Sequence, residues 1–198
     1  MHYLIDLDNT LLKTFFTDKN GKKHFYWAEN VQKDLNIDPS SLKLLFTSEF
    51  MRILQTKESI EPYVEIYLRK ISSSVIPTEF INYWLTNNAN LNIDVWEWIK
   101  KGKEKKHTFH IASDQPDIRM NFLWNKFKEW QNIFSTVFTS AKFNVIFKKD
   151  SKFFELVLEE LKETSENVCL IDDDLANINS AKKLGIKTIL FNNINDLY

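Results

Sequence analysis

A chain of 198 residues, 43% hydrophobic and 14% aromatic, is long enough to bury a sizeable core, either as one domain or as a core carrying a small insertion. Its 26 basic residues balance 27 acidic ones, which leaves no global pull toward nucleic acid or an anionic membrane. The single cysteine, Cys169, excludes an internal disulfide and reads as a core residue. With no leader pattern and no run of transmembrane length, the expectation is a soluble, cytoplasmic protein that binds neither nucleic acid nor membrane.

The chain opens on an apolar run of strand length, Tyr3-Leu4-Ile5, that stops at Asp6 and Asp8, with Thr10 and further leucines behind them. In an extended strand, residues i and i+2 share a side, so Asp6 and Asp8 would crowd each other and require a cation or a proton between them. Taken alone, an Asp-x-Asp pair is also what an Asx-rich turn looks like. Asn20-Gly21, set between Phe15-Phe16 and Phe25-Tyr26, predicts a small hairpin beside that strand end.

From about Trp27 to Asn90 the spacing turns helical. Leu42, Leu45, Phe46, Phe50 and Ile53 recur at three and four, predicting one helix entered at Asp38-Pro39 and capped by Ser40 or Ser41. Shorter helices are predicted from Glu61 to Ile71 and from Thr78 to Thr86, the set packing as a bundle. The second half alternates: helix at Asn92 to Lys101, strand at His107 to Ala112, helix at Pro116 to Trp130, strand at Thr136 to Thr139, helix at Ser151 to Lys162. It closes with a strand at Val168 to Ile171, a helix at Leu175 to Leu184 ended by Gly185, and a strand at Lys187 to Phe191. This order implies an α/β fold with a parallel sheet, whose ligands gather at the carboxyl ends of the strands. The basic run from Lys100 to Lys106 reads as a solvated helix end.

Polar residues collect at those strand ends: Asp6 and Asp8, Ser113-Asp114, Lys148-Lys149 and Asp172-Asp173-Asp174. Each has a plain structural reading as a cap or a solvated group. Together they provide a nucleophile, an acid, a hydroxyl, a cation and metal-binding carboxylates, the set that phosphoryl transfer requires.

Asp6-Leu7-Asp8-Asn9-Thr10, then Ser113, then Lys148 ahead of Asp150 and Phe153-Phe154, then Ile171-Asp172-Asp173-Asp174-Leu175-Ala176-Asn177 resemble, in order, the four motifs of the haloacid dehalogenase (HAD) superfamily. The resemblance covers nearly the whole chain and implies a three-layer Rossmann-like core. Residues 1–14 and 91–198 would form that core, and residues 15–90 a flap hairpin and a helical cap like that of the sugar-phosphatase and epoxide-hydrolase-phosphatase branch. It implies Asp6 as nucleophile and Asp8 as general acid and base, with Asp8 protonated when it acts as the acid. Ser113 and Lys148 would hold the phosphoryl group, and Mg²⁺ would sit on the Asp6 side chain, the Asp8 carbonyl and Asp173, with Asp172 beside it. Lys149 stands where proline usually follows the lysine and Val145 where glycine usually precedes it, which leaves Lys148 and Lys149 as alternatives, Lys148 favoured. Thr10 would support the loop.

The dehalogenases of the superfamily lack a carboxylate at the position of Asp8, since halide leaves without protonation, so phosphoester hydrolysis is favoured. The implied substrate is a small phosphorylated metabolite, a sugar phosphate or nucleotide. A phosphotransferase or mutase and a non-catalytic phospholigand binder stay open as alternatives. Most cap aromatics, Phe46, Tyr63, Tyr67 and Trp84 among them, read as core, with one or two left to line a pocket. Arg52 reads as a surface residue, the alternative being a contact to an anionic or sugar substrate.

Overall fold

A computed structural model describes residues 1–53, 56–144 and 146–198. Val145 therefore lies outside the described residues. Strand β1 (His2–Ile5) is the middle of a five-stranded parallel sheet with β4 (Thr108–Ser113) and β5 (Phe134–Thr139) on one side and β6 (Val168–Asp172) and β7 (Lys187–Leu190) on the other. Ile5 registers with Ile111 and with Ile171, which brings the ends of the three central strands level.

Alternation along these strands feeds two apolar layers. Ile5, Phe109, Ile111 and Ile171 pack on one face against α5 (Ile93–Glu104), α6 (Asp117–Lys126) and α7 (Trp130–Ile133), through Trp96, Ile99, Leu123 and Trp130. Leu4, Ala112, Val168 and Leu170 pack on the other against α8 (Ser151–Leu161) and α9 (Leu175–Lys182), through Phe153, Phe154, Val157 and Ile178. A sheet covered on both faces needs apolar residues at successive positions, as its strands have. Gly102 on α5 lets that helix lie against β4: a Cβ there would sit 2.5 Å from the ring of Phe109.

The segment between β1 and α5 contains the hairpin β2 (Phe15–Thr17) and β3 (Lys23–Phe25), turning at Gly21 with φ +78°. A helical bundle follows: a 3-10 turn at Tyr26–Ala28, α1 (Val31–Leu35), a second 3-10 turn at Pro39–Leu44, α2 (Ser48–Ile53), α3 (Glu61–Lys70) and α4 (Pro77–Asn87). It has a core of its own, with Trp27, Phe50, Val64, Tyr67, Phe80 and Trp84 at its centre. This bundle is called the cap below.

Two predicted helices are each divided. The Leu42 to Ile53 run is a 3-10 turn followed by α2, because the Thr47 hydroxyl accepts from Phe50 N at 3.2 Å and starts a new helix. The capping residue of the turn is Asp38, accepting from Ser40 N at 2.8 Å, and neither Ser40 nor Ser41 takes that role. The Pro116 to Trp130 run breaks at Phe127, whose ψ of 74° leaves the helix and lets its ring stack on Trp130 at 4.8 Å. No helix among the described residues is long and apolar enough to cross a membrane.

Candidate active site

The site lies where the sheet order reverses about β1, at the carboxyl ends of β1, β4 and β6. Asp6 follows β1 directly, its N–H donating to Ile171 O at 3.0 Å, and the residue is 4% exposed. Ser113 closes β4 and its hydroxyl donates to Asp6 Oδ1 at 3.0 Å. Lys148, 2% exposed, reaches in from the loop before α8 and donates to Asp6 and, at 2.6 Å, to Asp172 Oδ2. Burial pushes the Asp6 carboxyl well above the ordinary carboxylate range, against the pull of Lys148 and with Asp172 and Asp8 adding to the rise. Burial would lower the Lys148 ammonium, but Asp172, Asp6 and Asp114 outweigh it and hold it charged.

Asp8 is placed differently from the strand geometry expected of it. The strand ends at Ile5, so Asp6 and Asp8 do not share a strand side, and each carboxylate has its own cation. Arg119 on α6 forms a fork with Asp8, Nη1 to Oδ2 at 2.8 Å and Nη2 to Oδ1 at 2.6 Å, and Gln115 Nε2 donates to Oδ2 at 2.7 Å. Burial would raise the Asp8 carboxyl, yet Arg119 and Gln115 hold it below the ordinary range. Asp8 is thus an ionised carboxylate in this conformation, in contrast to the protonated form expected of it from the motif resemblance. Arg119 also donates to Gln115 Oε1 at 2.7 Å and to the carbonyl of Asn88 at 3.2 Å, just beyond the end of α4. One buried guanidinium therefore links the Asp8 loop to the place where the chain leaves the cap.

Oxygens of Asp6, Asp172 and Asp173 lie within 4.8 Å of one another. Against these three carboxylates stands one buried ammonium, Lys148. Asp173 is pushed up to about 6, first by burial and then by Asp172. An all-oxygen, negatively charged donor set of this kind fits a hard divalent cation. Asn177 fixes Asp172, its amide donating to both carboxylate oxygens at 3.1 and 3.2 Å. Asp174 instead caps α9, accepting from Ala176 N at 2.7 Å.

The structure thus gathers Asp6, Ser113, Lys148, Asp172 and Asp173 around one point, with Asp8 beside it. Of the two lysines it is Lys148 that enters; Lys149 lies over the Phe147 ring at 5.1 Å. Asp114 accepts from the backbone N–H of Lys148 at 3.2 Å and so holds the lysine loop. The Thr10 hydroxyl has no hydrogen-bond partner among the described residues. The loop is held by Asn9, left-handed at φ 58°, whose Oδ1 accepts from Thr14 N, Thr14 Oγ1 and Phe15 N at 3.3, 3.0 and 3.1 Å. Arg52 is spent on Glu58 at 2.9 Å. Sequence reasoning missed Asn9, Gln115 and Arg119. The one local hint was the i, i+4 spacing of Gln115 and Arg119 just after Ser113.

No protein-family model matches the chain. A stretch of 77 residues, 39% of the chain, is 34% identical to drimenol cyclase drtB of Aspergillus calidoustus, and it spans only 14% of that protein. Among solved structures, an HAD-family enzyme of Bacteroides thetaiotaomicron, bt-2542, in complex with magnesium and inorganic phosphate, superposes with a TM-score of 0.70 at 18% identity, covering 94% of this chain and 91% of that one. A predicted HAD-like hydrolase of Porphyromonas gingivalis gives 0.67 at 13% identity, over 94% and 88% of the two chains. CbbY of Rhodobacter sphaeroides, bound to xylulose-(1,5)bisphosphate, gives 0.54 at 16% identity, over 95% and 84%. The parallel five-stranded sheet, its flanking helices and these superpositions show that the chain has the fold of the haloacid dehalogenase superfamily.

Proposed function

We propose that this protein is a Mg²⁺-dependent phosphatase that hydrolyses a small phosphomonoester through an aspartyl phosphate on Asp6. The observation that carries this reading is the convergence on Asp6 of a hydroxyl from the end of β4, an ammonium from the loop before α8 and two further carboxylates from the end of β6. The resemblance of the four motifs and the magnesium and phosphate reported for bt-2542 support it.

Asp6, Asp173 and the Asp8 carbonyl would hold Mg²⁺, with Asp172 beside them, and the ion would offset the negative charge of the transferring phosphoryl group. Asp6 attacks phosphorus in line as the bond to the leaving oxygen breaks. Lys148 and Ser113, which both donate to Asp6, would hold the oxygens of that phosphoryl group, the one by charge and the other by a hydrogen bond. The leaving oxygen takes a proton from Asp8. Water then attacks phosphorus, returns a proton to Asp8, and the Asp6–phosphate bond breaks to free Asp6 and phosphate.

Paired with Arg119, Asp8 is ready as the base of the second step. To act as the acid of the first step it must gain a proton, which requires the Arg119 fork to loosen. The placement of Lys148 weighs against the non-catalytic reading. The substrate belongs with small phosphorylated metabolites, and the residues around Asp6 address only its phosphate.

The test is phosphate release from p-nitrophenyl phosphate and a metabolite panel, with EDTA and Asp6→Asn as controls. Release that disappears with EDTA and in Asp6→Asn is the expected outcome. Release that survives both would end the proposal.

A further inference from the structure

Beside Asp8 the cleft widens into a cavity of 210 Å³ between the sheet edge and the cap. If Asp8 protonates the leaving oxygen, the rest of the leaving group has to occupy this space; the inference therefore rests on the phosphatase reading. A larger cavity of 570 Å³ borders Asp173 and Asn9 on the metal side and does not include Asp8.

The walls of the smaller cavity are aromatic. Phe15, Phe25, Trp27, Phe46, Met51 and Trp84 line it from the flap and the cap. The rings form a connected chain, Phe15 to Phe25 at 6.2 Å, Phe25 stacked on Phe46 at 5.7 Å and Phe46 to Trp27 at 6.3 Å. Phe25 and Met51 remain 39% and 43% exposed. Solvent-open apolar side chains around an active-site cavity are the composition of a binding site for an apolar group.

The polar lining is already committed. Gln115 donates to Asp8 at 2.7 Å, Thr14 donates to Asn9 at 3.0 Å, and both terminal nitrogens of Arg119 donate to Asp8, at 2.8 and 2.6 Å, and also to Gln115 Oε1 at 2.7 Å and the Asn88 carbonyl at 3.2 Å, partners that remain when the fork to Asp8 loosens. Arg119 Nε makes no hydrogen bond but is itself buried away from solvent. Asn88, with its amide oxygen turned toward the donors, accepts from Trp84 Nε1 at 3.3 Å and from Arg119 at 3.2 Å. None of the described residues that the cap contributes to the lining is charged, and the floor sets the carboxylates of Asp8 and Asp114 against the single guanidinium of Arg119, which is already paired with Asp8. Sugar hydroxyls would enter with few partners, at roughly tenfold or more in kcat/KM for each unmatched hydroxyl. A second phosphate would meet carboxylates.

We infer that the substrate is the phosphomonoester of an uncharged, apolar alcohol or phenol, an aryl or short alkenyl group seated against the aromatic wall of the flap and cap.

The test compares kcat/KM for 2-naphthyl phosphate and dimethylallyl phosphate with that for glucose 6-phosphate and AMP, using acetyl phosphate as a substrate with almost no leaving group to recognise. The apolar esters are expected to exceed the sugar phosphate and the nucleotide by at least tenfold. In Met51→Gln and Phe25→Ser, both at exposed positions, the ratio of naphthyl to acetyl phosphate kcat/KM should fall severalfold. Turnover of acetyl phosphate with glucose 6-phosphate or AMP equal to or better than the apolar esters, or an unchanged ratio in both variants, would overturn the inference and leave the phosphatase reading intact. No turnover of any compound, acetyl phosphate included, would overturn both.

Discussion

The two walls of the active-site cleft are built by opposite means. On the sheet edge Lys148 and Arg119 are buried to 2% and 3% exposure, each tied to carboxylates. Facing them, the flap and cap offer Phe25, Phe46, Met51 and Trp84, and the one cap arginine considered for substrate binding, Arg52, is turned to Glu58. The charged wall is costly to assemble and suits a reaction that moves charge, because a desolvated cation acts strongly on a nearby phosphoryl group. The apolar wall is inexpensive, stable without a ligand, and suits discrimination by shape and solvation. On the reading proposed above, a cation on one wall would act on every substrate alike, while side chains on the other would decide which substrate enters.

The sharpest way to break this contrast is to remove the charge that balances the sheet edge. Lys148→Met leaves Asp6 and Asp172 buried without their ammonium and should cost about 3–5 kcal/mol in urea unfolding without metal. Added Mg²⁺ should then stabilise the variant more than the wild type, since it would supply the missing positive charge. Equal stabilisation of the two would argue against a metal at this cluster. On the other wall, Trp27→Ala removes the largest fully buried side chain of the cap and should cost about 3–4 kcal/mol. Hydrogen exchange would localise the loss to α3 and α4, with the sheet still protected. Loss of protection in both would mean that the cap has no stability of its own.

A smaller effect should follow from Arg119→Lys, which keeps the charge but not the fork, at about 1–2 kcal/mol. Because Arg119 also holds Asn88, the same variant should change kcat more than KM if the fork must open for Asp8 to act. A change in stability alone would make Arg119 a purely structural residue.

The last effect lies away from the cleft and appears only below neutral pH. Burial, with His2 and Lys103 adding to it, lowers His110 from 6.5 to about 4, and its Nε2 lies 3.0 Å from Nδ1 of His2. The unfolded chain protonates at the higher value and the folded one only at the lower. Stability from this group is therefore full above pH 6.5 and declines as pH falls toward about 4. His110→Phe should flatten that part of the stability profile and leave neutral-pH activity unaltered.

Much of the sheet-edge wall was legible in the sequence. Apolar runs that end in Asp6, Ser113 and Asp172 identify strand ends, and a parallel sheet brings strand ends together, so the convergence followed from order alone. The choice between Lys148 and Lys149 did not, because adjacent positions in an irregular loop carry no periodicity to tell inward from outward. Arg119 was hidden for a different reason. On an amphipathic helix it reads as a solvent-facing residue, and its partner Asp8 is 111 positions away. The split of the Leu42 to Ile53 run also escaped, since Thr47 is a capping residue only when the preceding turn has already ended.

The most direct test of the central claim, that Asp6 is the nucleophile, is borohydride trapping during turnover, followed by peptide mapping. Acyl phosphates are reduced to the alcohol, so the account predicts that the peptide carrying Asp6 appears with homoserine in its place, only with substrate and Mg²⁺ present. Unmodified Asp6 under conditions of demonstrable turnover, together with retained activity in Asp6→Asn, would contradict it.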